Sequence, residues 1–235
     1  MEDLHELAGQ LAEAMARVDS ALDWGLLGDL YCHEGGEGFF PPEQRDAIRD
    51  AGLAVAGDLG EHLAQGGASH YVGAAVAELP PILFETIVLG RRVHWTQLAG
   101  PELDELARVM ELVGGPAPSQ APLPAFEVDH LWFASVLTDP EVFPALHKKL
   151  YEKSAGGGDL DQEHARATEL VQGSLTLLSP PALLSTTDEE APFFLTACRA
   201  RGWQVDFPER GRLSGIVGDV VRHGTVHGTV HGGNR

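Results

Sequence analysis

The residues best placed to do chemistry are Gly73, Ala74, Ala75 and Ala77, which follow a short apolar run at residues 69–73 and lead into Glu78. Small side chains where a strand hands over to a helix let a ligand approach the backbone. Amides at the helix N-terminus then point outward to meet it. Glu78 would meet amide, amino or hydroxyl donors there. The same small residues also allow a helix to pack closely on a strand, and the residues alone leave both readings open. Thr96 and Gln97 end the next β-branched and aromatic run, where they either hydrogen-bond a ligand hydroxyl or form a polar strand end. Asp139 follows a third apolar run and either faces a cleft or caps the helix begun at Pro140; capping is the expected role. The acids in Thr186-Thr187-Asp188-Glu189-Glu190 are expected to complement a helix dipole.

Metal chemistry is not expected. His223, His227 and His231 recur every fourth residue, which keeps them on one face of a strand or helix and could chelate nickel or zinc. The intervening glycines resist a fixed geometry, so a solvated tail is the expectation. Cys32, His33 and Glu34 lack the spaced partner pair of a zinc motif. Walker loop, nucleophile elbow and HExxH patterns are absent from the sequence. Trp24, Trp95, Trp132 and Trp203 read as core residues.

These residues need elements to hold them. Leu4, Leu7, Leu11, Met15, Val18 and Leu22 recur at helical spacing. A stretch broken by Gly35, Gly36, Gly38 and Pro41-Pro42 follows. A second helix starts at Pro42 and stops at Gly66-Gly67. Beyond it come a strand at 69–73, a helix at 79–89 with Pro80-Pro81 in its first turn, and a strand at 92–98. Pro101 opens a helix that stops at Gly114-Gly115, and PAPSQAPLPAF reads as a mobile loop. Val128–Leu137 is continuously apolar, as in a strand buried on both faces. A helix from Asp139 and a long one capped by Asp159 follow. Pro180-Pro181 stop that helix before a short buried strand, ALLSTT. A helix over 188–202 and two alternating runs, WQVDFPE and SGIVGDVV, complete the pattern as a hairpin. The expected divisions are a helical N-terminal segment at 1–66, an α/β domain at 67–222 and a flexible His/Gly-rich tail at 223–235. Alternation of strands and helices predicts a mostly parallel sheet covered on both faces.

The chain has 235 residues, 43% of them hydrophobic, enough for one sizeable core with an appendage. Its formal net charge of -19 opposes phosphate backbones and anionic lipid, so neither nucleic acid nor a membrane surface is an expected partner. Two cysteines in unrelated surroundings, and an acidic amphipathic start unlike a signal peptide, fit a cytoplasmic protein. The most apolar window, 71–90, holds Glu78, Glu85 and two prolines, and reads as buried strand and helix rather than a membrane span.

This order of elements resembles the Rossmann-like, class I S-adenosylmethionine-dependent methyltransferases, over roughly residues 69–222. That family ends its first strand in an acid followed by alternate glycines. Here Tyr71 stands for the acid, Gly73 matches, and Ala75 and Ala77 replace glycines. Its second strand ends in an acid for the ribose hydroxyls, where this chain has His94-Trp95-Thr96-Gln97. Ser135-Val136-Leu137-Thr138-Asp139-Pro140 lies where the family places substrate-facing residues, without its Asn/Asp-Pro-Pro-aromatic signature. The resemblance implies an α/β, doubly wound fold with a C-terminal β-hairpin and a leading helical segment. It implies S-adenosylmethionine as cofactor, held by Tyr71, Gly73, Ala74, Ala75, Glu78, Thr96, Gln97 and Ser135. A small molecule would be the methyl acceptor. The departures equally suit a catalytically inactive descendant with a binding or scaffold role. A homodimer is compatible with the sequence, which leaves oligomeric state open.

Overall fold

The computed structural model describes residues 4–32, 38–151, 157–214 and 218–228. The chain divides into two compact units, one of residues 1–122 and 213–218, the other of 123–212 and 219–235.

The first unit opens with α1 (Leu4–Ala21), whose Leu7, Met15 and Val18 are buried on one face. A helix follows that the glycines of this stretch concealed, α2 (Trp24–Tyr31). Asp23 caps it by accepting the Leu26 N–H at 3.0 Å, and Gly28 is buried inside it. Next, α3 (Pro42–His62) starts on a proline, as expected. Gly66 and Gly67 then turn the chain at φ of 73° and 81°, a region other residues enter at a cost. The strand β1 (Ala68–Val72) pairs in parallel with β2 (Arg92–Trp95), with Tyr71 opposite Trp95. Between them runs one continuous helical segment: a 3-10 turn (Val76–Glu78), α4 (Leu79–Leu83) and a π turn (Phe84–Val88). The segment sits hard against α3. A Cβ on Gly52 would lie 2.6 Å from Pro80 Cγ and 3.0 Å from the Ala77 carbonyl, so this approach requires glycine.

A buried ion pair fastens the strands to that helical segment. The Arg91 guanidinium meets the Glu85 carboxylate at 2.9 Å, both side chains fully buried. It also donates to the carbonyls of Ala64, Gly66 and Ala68 at 2.6–3.2 Å. Ser69 and Tyr71 hydroxyls donate to the same carboxylate. Every charged atom in the group therefore has partners, the condition under which a buried pair is tolerated. Beyond β2, α5 (Pro101–Leu112) buries Leu103, Leu106, Val109 and Met110. The segment that follows is a loop, as expected, and it is tied to β2: the Ser119 N–H donates to the Trp95 carbonyl at 2.9 Å, and the Trp95 indole to the Pro116 carbonyl at 2.8 Å.

In the second unit, β3 (Val128–Phe133) pairs in parallel with β4 (Leu178–Thr187). The expected strand is shorter than 128–137, because Ser135 turns the chain at φ 59°. The helix expected from Asp139 begins later, as α6 (Pro144–Leu150). Asp139 instead closes a turn, accepting the N–H groups of Glu141 and Val142 at 2.7 and 3.2 Å. Asp159 caps α7 (Leu160–Leu175) as read from the sequence. Pro180-Pro181 do not precede the next strand but lie within it, joined by a cis peptide bond. The ladder breaks across them: Val128 pairs with Leu178, but His130 with Leu183. Prolines offer no ladder donor, so a bulge is where a strand admits them.

After α8 (Ala191–Ala200), the chain forms β5 (Gln204–Asp206), the two-residue β6 (Arg212–Leu213) and β7 (Val220–His227). The expected hairpin is rearranged, since β7 lies between β4 and β5 and is antiparallel to both. The supposed tail begins inside this strand. His223 and Val226 are buried, and a Cβ on Gly224 would lie 2.6 Å from the Phe207 ring. Glycine serves clearance here rather than flexibility. His231 lies outside the described residues. No described helix is long and apolar enough to cross a membrane.

Candidate functional site

Each unit carries a polar cluster at the carboxyl ends of its parallel strands. In the first, Gly73 leaves β1 at φ 67°, a left-handed conformation that suits glycine. The Ala74 N–H donates to the Thr96 carbonyl at 2.8 Å, and the Thr96 N–H to the Tyr71 carbonyl at 3.0 Å, so the ladder continues past both strand ends. The Ala75 N–H donates to Glu78 Oε2 at 2.9 Å. The amides expected to face a ligand are thus used internally at Ala74 and Ala75. Glu78 is buried, and burial pushes its carboxyl up to about 7; the Ala75 amide opposes that shift and the Glu102 charge adds to it.

Gln97, beyond β2, donates to Glu102 Oε2 at 3.2 Å, while its own Oε1 accepts the Leu98 N–H at 2.8 Å. The other Glu102 oxygen accepts the Tyr31 hydroxyl at 2.6 Å. Sequence reading found no acid at this strand end and missed Glu102. It sits in the first turn of α5, a short loop after β2, and the Gln97 side chain ties it to the end of that strand. An acid directly after Pro101 was the available signal. The Tyr71 backbone takes part in this cluster, but its side chain does not. The ring is fully buried and its hydroxyl donates to Glu85 Oε1 at 2.6 Å. Burial and the Glu85 charge push this phenol well above its ordinary value.

Ser135 belongs to the second cluster. Its N–H and that of Leu137 donate to the two oxygens of Glu190 at 3.1 and 2.6 Å, and Thr187 Oγ1 adds a third bond at 3.2 Å. Glu190 is fully buried, and burial lifts its carboxyl to about 7 against the pull of those donors. The Ser135 and Tyr151 hydroxyls donate to the two oxygens of Asp219 at 2.8 and 2.6 Å. Burial and Asp219 together raise the Tyr151 phenol, which keeps it a donor. The neighbouring Asp188 pairs with Arg222 at the surface. Of the acids after β4, Glu190 is therefore a loop clamp rather than a dipole partner.

The eight residues expected to bind cofactor thus divide. Gly73, Ala74, Ala75, Glu78 and Thr96 share one hydrogen-bonded turn, with Gln97 reaching Glu102 beside it. Tyr71 is committed to the core through its side chain. Ser135 is held by Glu190 and Asp219. Among the described residues no group of three or more histidines, cysteines or acids is placed to hold a metal.

Neither a family model nor a curated protein matches the sequence. Solved structures do resemble the fold. A methyltransferase from Pyrococcus furiosus aligns with 76% of this chain and 83% of its own at 10% identity, with a TM-score of 0.50. A methyltransferase homolog from Pyrococcus horikoshii aligns over 76% and 66%, at 10% identity and TM-score 0.48. Fibrillarin of Aeropyrum pernix, bound to S-adenosyl-L-methionine, aligns over 75% and 76%, at 11% identity and TM-score 0.45. The first of these carries the fold assignment.

Proposed function

Given a Rossmann-like fold like that of a methyltransferase, we propose that this protein binds S-adenosylmethionine at the carboxyl ends of β1 and β2 and methylates a small molecule. The observation that supports this most directly is Glu102. It restores an acid at the end of β2, where open α/β sheets receive ligands, and stands beside Gln97 and close enough to Glu78 to raise that carboxyl. Carboxylate and amide oxygens there suit the hydroxyl and amino donors of an adenosyl group. Charge-assisted bonds from hydroxyls to Glu102 would be the strongest of these contacts. Gly73 lets the backbone turn without a Cβ in the way. When bound, the cofactor supplies an electrophilic methyl group on a sulfonium. The protein's task is then largely to position an acceptor, so no triad is needed. The net charge of -19 favours a small acceptor over nucleic acid.

Titration calorimetry with S-adenosylmethionine and S-adenosylhomocysteine tests the reading. Binding is expected, weakened about tenfold or more by Glu102→Ala, the cost of losing hydrogen bonds to a charged group. No heat at millimolar ligand removes it. A second reading is a non-catalytic binding or scaffold protein on the same fold. The internal use of the Ala74 and Ala75 amides, and Tyr71 in place of an acid, favour it. The no-heat outcome would select this second reading.

A further inference from the structure

We infer that Tyr31 is a built-in competitor for the ligand site: its hydroxyl occupies the Glu102 carboxylate that a ligand hydroxyl would otherwise take. The inference rests on the proposed binding of an adenosyl compound at the end of β2. Tyr31 is the last residue of α2, and its phenol donates to Glu102 Oε1 at 2.6 Å. A neutral O–H donating to a carboxylate is the same chemistry that a sugar hydroxyl offers. The bond is therefore a self-made version of the contact proposed for the ligand. Gln97 holds the second oxygen from the strand side, so the arriving hydroxyl must displace a protein group or share an oxygen with it.

The helix carrying Tyr31 is positioned to return it. The Asp23 N–H, at the other end of α2, donates to Glu105 Oε1 at 2.7 Å, and Glu105 lies one turn along α5 from Glu102. Glu105 is itself held by Arg108 at 2.6 Å. One end of α2 is thus pinned to α5 while the other carries the competing hydroxyl. The Tyr31 ring packs edge-on against the buried Phe40, with centroids 5.8 Å apart, so Tyr31→Phe keeps the packing and removes only the O–H.

The test compares wild type with Tyr31→Phe, using S-adenosylhomocysteine, adenosine and 2′,3′-dideoxyadenosine in titration calorimetry. Exchange of one charge-assisted bond for another predicts that Tyr31→Phe binds the two hydroxyl-bearing ligands roughly 3- to 10-fold tighter. The dideoxy compound, lacking the competing hydroxyls, is expected to bind both proteins equally. Tyr31→Leu, which lacks both the O–H and the ring, is expected to gain affinity for the same two ligands. Wild-type binding with no gain in either variant overturns the competitor role and leaves the proposed function standing. An equal gain for the dideoxy compound likewise overturns it, because the hydroxyl would not be the group displaced. No binding by any of the three proteins removes the proposed site and this inference together.

Discussion

Glu78 and Glu190 are two solutions to one problem. Each is a buried carboxyl, each is lifted to about 7 by burial, and each takes backbone amides just beyond a parallel strand. They differ in reach. Glu78 accepts the N–H of Ala75, three residues back, and so closes its own turn. Glu190 accepts from Ser135 and Leu137, 55 and 53 residues away, and so holds a distant connection in place. The backbone follows suit. The first turn bends at Gly73, which needs no support, whereas the second bends at Ser135, at φ 59°, a shape its neighbours must enforce. Local closure makes a turn that sequence can reveal; closure at long range makes one that only the folded chain contains.

The largest test of that contrast removes the long-range clamp. Glu190→Ala strands two amides and the Thr187 hydroxyl without their acceptor and is expected to cost about 4 kcal/mol. Glu78→Ala strands one amide and should cost about 1–2 kcal/mol. Urea unfolding at pH 7 measures both, and equal losses would erase the distinction.

Acid sharpens it next. A carboxyl raised from 4.5 to about 7 adds stability that is fully present below 4.5 and is lost as pH rises through 7. His70 runs the other way. Burial, with His94 adding to it, lowers His70 to about 4, so its contribution is present above 6.5 and is lost as pH falls toward 4. Each shift corresponds to about 3 kcal/mol. Two carboxyls against His70, with His94 also lowered by burial and opposing them, predict a net gain of at most about 3 kcal/mol as pH falls from 8 to 5. Urea midpoints across that range check it, and the double variant Glu78→Gln, Glu190→Gln should reverse the slope.

The smallest effect compares the two bends themselves. Gly73→Ala forces a Cβ into the left-handed region and should cost about 1–2 kcal/mol. Ser135→Gly relieves that strain but loses the bond to Asp219, two effects of about 1 kcal/mol each, so its stability should stay near that of wild type. Thermal melts separate the two outcomes.

The same distinction governs how far the sequence could be read. Periodic apolar spacing located α1 and α5, and proline or aspartate at the helix start located α3, α5 and α7, because those signals act within a few residues. The bend at Gly73 was legible for the same reason. Three features were not. α2 hides behind its glycines because its cap is a single aspartate and its support comes from Glu105 on another helix. Glu102 becomes part of the strand-end cluster only through its bonds to Gln97 and to Tyr31, 71 residues away on α2. The first His-Gly-Thr-Val unit looks flexible until Phe207 is seen lying over Gly224. Proline read as a helix stop was right about α7 ending and wrong about what came next, since a bulged ladder accommodates Pro180-Pro181 inside β4.

The placement of β7 has a consequence for how this protein is made. Until residues 220–227 arrive, β4 has an unfilled flank along Ala182–Thr187, and β5 has no neighbour to join. A growing polypeptide would carry that row of vacant N–H and C=O groups throughout synthesis of the intervening stretch, inviting another molecule to bind there instead. Production at lower temperature, or with a chaperone that shields such a flank, should therefore improve yield more than changes to the strands of the first unit.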